Sequence, residues 1–110
     1  MFPTGSATMN QNQLPPLGEL SGDLQFIEDL GLATLQETQS FLIQKESEKQ
    51  LRRQVEKGLI TKNEAVSVLL AHLQGWLEQR GLDVSESSEK FADSTFQQNI
   101  EMFLFGAESR

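Results

Sequence analysis

The residues able to do chemistry are few in this chain. It has no cysteine, no tyrosine and a single histidine, His72. Without cysteine there is no thiolate nucleophile, no disulfide and no thiolate metal ligand. A Ser–His–Asp relay needs its histidine beside a nucleophilic serine and a carboxylate that orients the ring. One helical turn from His72 stand Val68, Gly75 and Trp76, and none of them is a carboxylate. His72 therefore reads as a flanking or half-buried side chain. One histidine plus carboxylates carries no ligand spacing typical of zinc. Glu28 and Asp29 are adjacent carboxylates, but neighbours along a helix point apart and form no acid–base pair. No phosphate-cradling glycine loop, dinucleotide fingerprint or calcium loop occurs. We expect a chain that is not an enzyme, with no catalytic residue, no cofactor and no metal.

Recognition is the chemistry that remains. The 110 residues carry a net charge of −7, which repels phosphate backbones and disfavours nucleic acid. Against that background the basic residues Lys45, Lys49, Arg52 and Arg53 fall on one face of a helical projection, away from Leu51 and Val55. No aromatic residue interleaves them to stack on bases, so an acidic protein surface is the better match. A second candidate surface is the C-terminal apolar segment. Phe96, Ile100 and Phe103 form one stripe there, while Phe91, Met102 and Phe105 fall near the opposite side. A helix apolar all round is buried on several sides, and a chain of this length is short of material to bury it. We therefore expect Phe91, Met102, Phe103 and Phe105 to meet a protein partner. Trp76 is the single tryptophan and joins the candidates as an anchor residue, as do Leu51 and Val55.

Residues 1–18 contain no charged side chain and include Pro15-Pro16. They read as a tail or as an extended arm, with Phe2, Met9, Leu14 and Leu17 as spaced anchors on a neighbouring subunit.

The elements that position these residues are helical. We expect an all-α chain with an arm over 1–20 and one small domain over 21–110. A short helix covers about 24–30, capped by Asp23 and stopped by Gly31. The boxes Thr34-x-x-Glu37 and Thr61-x-x-Glu64 open helices over about 35–57 and 62–80, with Gly58 and Gly81 as stops. Their short connection predicts an antiparallel hairpin. Leu59, just past Gly58, is placed for an apolar contact with the last turn. The first of these helices either bends near 44–46 or carries two apolar stripes, with Leu35 and Leu42 opposite Phe41, Leu51 and Val55. The second reading fits the pattern better. The central helix has an apolar arc wider than this partner can cover, leaving Val66, Leu69 and Leu70 to something else. A last helix over about 88–105 fills that gap, with Asp93 or a Ser94-x-x-Gln97 box as a possible inner cap. Gly75, inside the central helix, predicts close approach of another backbone or ring beside Trp76.

No membrane-length apolar run and no secretory leader is seen, so we expect a cytoplasmic or virion protein. The reading is a non-catalytic interaction subunit or adaptor of a larger assembly, its partner another protein or further copies of itself in a homo-oligomer, with a phage-type structural component as the concrete version. A regulatory or inhibitory protein docking on an enzyme is the alternative.

Overall fold

The computed structural model describes residues 17–106. They form α1 (Leu20–Asp23), α2 (Gln25–Asp29), α3 (Leu35–Lys49), α4 (Leu51–Glu56), α5 (Lys62–Gln79), α6 (Val84–Ala92) and α7 (Ser94–Phe105). The chain is all-α, with no strand among the described residues. The expectations placed on Phe2, Met9 and Leu14 lie outside those residues. Leu17 lies within them and packs against the core, so the fold begins earlier than residue 21.

Helix boundaries follow local chemistry. The Thr34 and Thr61 hydroxyls accept from the backbone N–H of Glu37 and Glu64 at 3.0 and 3.1 Å. Each glutamate side chain accepts in return from its threonine's N–H, at 2.9 and 2.8 Å. The N-terminal donors of α3 and α5 are thereby satisfied in pairs. Asp83 and Asp93 open α6 and α7 by accepting from Ser85 and Thr95 N–H. Three helices end in the same two-bond turn. Gly31, Gly58 and Gly81 have φ of 76°, 77° and 114°. In each turn the following leucine's N–H reaches back five residues: Leu32 to Ile27, Leu59 to Gln54, Leu82 to Leu77. This is the Schellman arrangement. Leu32 is half-buried and Leu82 buried. Leu59 is 67% exposed and makes no inward contact of the expected kind.

Several boundaries differ from the sequence reading. The helix expected over 35–57 breaks at Gln50, which takes φ 52°, not near 44–46. The cause is tertiary. Leu51 turns into the core at 2% exposure. The buried Glu46 carboxylate reaches across the break to accept from Arg52 N–H at 3.2 Å and from Arg52 Nε at 3.3 Å. It so caps the first turn of α4. The helix expected over 88–105 is two, α6 and α7, divided at Asp93, which serves as the cap. Gln97 closes no box with Ser94, because its amide donates to Phe91 O at 3.1 Å. Asp23 caps nothing: it lies in α1, and its carboxylate accepts from Asn99 Nδ2 of α7.

One core holds the elements together. Leu42, Leu51, Leu69, Leu73, Phe96, Ile100 and Phe103 belong to one buried cluster. Each such side chain contributes roughly 1.5–3 kcal/mol of transfer free energy. α7 packs against α5, α1 and α6, and Val66, Leu69 and Leu70 are buried in the same cluster as Phe103 and Leu104. Enclosure of α7 by three helices of its own chain changes the meaning of its apolar circumference. Phe91 and Phe103 are 7% and 2% exposed. With Leu51 they are core residues and offer a partner no surface. Phe105 is half-buried and Met102 is exposed.

Candidate interaction surface

The seam between α3 and α5 buries Thr38 and Leu42 from one helix and Leu69, Leu73 and Leu77 from the other. Phe41 and Trp76 each neighbour a buried leucine in sequence, so helical phase sets them on the flank of that seam. There they stack on each other, with centroids 4.4 Å apart and ring planes within 9°. Both rings are half-buried. The Arg80 guanidinium lies over Trp76 at 4.9 Å and the Lys45 ammonium over Phe41 at 5.8 Å, positions favourable for cation–π attraction.

Both cations are held from a second side. Arg80 Nε donates to Leu32 O at 2.6 Å, and its Nη2 lies 3.7 Å from Glu37. Lys45 Nζ donates to Glu48 at 3.1 Å, and Gln44 donates to the same carboxylate. These bonds, from Lys45 first and then Gln44, hold the Glu48 carboxyl below its ordinary value.

Two open grooves flank the stack. One, of about 560 Å³, is lined by Thr34, Gln36, Glu37, Ser40, Phe41, Gln44, Trp76 and Arg80. The other, of about 250 Å³, is lined by Phe41, Lys45, Ala71, His72, Gly75, Trp76 and Gln79. No carboxylate lines the second groove, so His72 has no orienting acid within it. Gly75 faces open space, with no atom within 4 Å of where a Cβ would stand. The close approach expected at Gly75 is therefore not made; its missing side chain leaves the groove open. Among the described residues no three metal-ligating side chains converge, and no helix is long and apolar enough to cross a membrane.

The basic stripe does not survive the break at Gln50. Lys45 turns to Phe41 and Glu48, whereas Arg52 turns to Glu46. Lys49 and Arg53 are exposed. Val55 lines a different groove, with Leu104 and Phe105. Of the residues singled out from sequence, Trp76 and Lys45 alone come together at the aromatic stack. Phe41, Arg80 and Glu46 were missed. A signal for Phe41 existed: it stands 18 residues before Leu59 and Trp76 stands 17 after it, so an antiparallel register pairs them.

No family model, curated protein or solved structure matches the chain. The functional reading rests on this geometry.

Proposed function

We propose that the chain is a non-catalytic interaction subunit or adaptor of a larger assembly, and that a polypeptide segment of its partner lies along the Phe41–Trp76 stack. The supporting observation is the stack itself: two half-exposed rings, a cation over each, and an open groove on either side. Tryptophan and arginine are the residue types most often found to dominate binding energy at protein interfaces. Gln36, Ser40, Gln44 and Gln79 rim the grooves without charge, and each can donate to or accept from a peptide backbone. A nucleic acid is a poorer match. Each ring already has a stacked neighbour and a cation over it, and the chain is acidic overall. A virion structural subunit is the concrete form of this reading that we favour.

The test is site-specific photo-cross-linking in the source cells. A photoreactive residue at Ser40, in the larger groove, is compared with one at Ser67, exposed on α5 and lining neither groove. We expect a discrete protein adduct from Ser40 and none from Ser67, and its loss when Arg80→Ala and Gln44→Arg are added. Identical background patterns from the two positions would overturn the reading.

A further inference from the structure

Charge is segregated along α5. Residues 45–62 contain six of the nine basic residues and three acidic ones, a net +3 in a chain of −7. Residues 17–44 contain five acidic residues and no basic one. Arg52, Arg53 and Lys57 lead into the N-terminal end of the central helix, where Lys62 opens it, while Glu28, Asp29 and Glu37 flank the Leu32 connection that Arg80 bonds at its C-terminal end.

At the N-terminal end of α5 lies the connection from α4. Arg53 and Lys57 are exposed there, and neither makes an ion pair among the described residues. Leu59 stands beside them at 67% exposure, although the leucines at the same place in the other two glycine turns are drawn inward. Next to it, Val55, Leu104 and Phe105 line a groove together with Arg52, Lys62 and one carboxylate, the exposed Glu56.

The other end is about 27 Å away, from 18 residues rising roughly 1.5 Å each. The Arg80–Leu32 bond pins the α2–α3 and α5–α6 connections together at that end. Leu30, on the first connection, and Val84, which opens α6 just after the second, are 54% and 46% exposed, beside the exposed carboxylates Glu28, Asp29 and Asp83. Arg80, the base within this group, is turned onto Leu32, Glu37 and Trp76.

We propose that these ends are the two halves of one interface: a second copy of this chain seats its Leu30/Val84 acidic end on the Leu59 basic end of the first. Each end pairs exposed aliphatic side chains with charge opposite to that of the other. Complementary potentials steer encounter and fix orientation, and the apolar contacts supply the area removed from water. Because the ends lie at opposite poles of α5, the contact is head-to-tail. It repeats until a ring closes or a filament continues. The residues involved line neither groove of the Phe41–Trp76 stack, so the two proposals stand or fall separately.

The experiment is sedimentation velocity on the full chain as a function of concentration, at low salt and at 0.5 M salt. We expect species larger than dimer at low salt, shifting toward the 12.3 kDa monomer as screening shortens the reach of the charges to about 3–5 Å. Arg53→Glu with Lys57→Glu and Leu59→Asp blocks the basic end. Glu28→Lys with Asp29→Lys and Leu30→Asp blocks the acidic end. All six positions are exposed, and circular dichroism checks that each variant keeps its helices. Each variant alone is expected to be monomeric, and an equimolar mixture is expected to form a 1:1 dimer and nothing larger, through the one intact end of each. A wild-type chain that remains monomeric at low salt up to about 1 mM, the weak limit of specific association, overturns the proposal. So does a dimer that only one of the two variants disrupts and that mixing does not restore, since that contact joins like ends.

Discussion

Gln50 sits in the left-handed region at φ 52° without being glycine. A side chain there costs roughly 1–2 kcal/mol against Cβ–carbonyl crowding. Glycine relieves that strain but gives up roughly 0.5–1 kcal/mol of chain entropy. Gln50→Gly is therefore expected to raise stability by about 0.5–1 kcal/mol in urea unfolding, and Gly58→Ala, at φ 77°, to lower it by a similar amount. Glu46 explains why the break was not legible. It stands in a charged, polar run that reads as solvated surface, yet its side chain is only 9% exposed and is bonded to Arg52 six residues on. No glycine or proline marks the turn; it goes with the burial of Leu51 and with the Glu46 carboxylate that spans it. Gly75 is the converse case. Its sequence context predicts close packing, but the space is empty. Gly75→Ala is expected to stabilise α5 by about 1 kcal/mol, measured as a rise in the thermal midpoint, while narrowing the groove beside His72.

At the scale of elements, the starts of α3 and α5 and the stops of α4 and α5 were legible because the signal and its cause lie within four residues of each other, whereas the stop of α3 at Gln50 was not. Thr34, Glu37, Thr61, Glu64, Gly58 and Gly81 do in space what their spacing predicts. Thr34→Ala and Thr61→Ala are each expected to cost about 1 kcal/mol. The caps open different helices at opposite ends of the α3–α5 seam, so the double variant should lose the sum to within about 0.5 kcal/mol. A chemical denaturation series on the four proteins checks this. Where a boundary depended on another element, the reading failed. Asp23 is spent on Asn99 of α7, and Gln97 on the Phe91 carbonyl.

For the whole molecule, fold class was legible from helical periodicity, whereas closure of the core was not. The apolar circumference of α7 cannot say whether its cover comes from the same chain or another. Here α1, α5 and α6 provide it, and Phe103 ends 2% exposed. Phe103→Asp is accordingly expected to cost more than about 3 kcal/mol and to unfold much of the chain. Phe105→Asp, half-buried at the rim beside Lys62, should leave the helical circular-dichroism signal largely intact. Equal tolerance of both substitutions would show that the core is not closed as described.

The stacked Trp76 also makes the molecule its own optical probe. With one tryptophan and no tyrosine, near-ultraviolet absorbance and intrinsic emission come overwhelmingly from a single indole lying on Phe41 under Arg80. A melting curve followed by fluorescence is thus a curve of the α3–α5 seam, while far-ultraviolet ellipticity averages over all helices. Coincidence of the two traces would mark one cooperative unit. If ellipticity falls first, helices remote from that indole, α1–α2 or α6–α7, detach while the seam still holds.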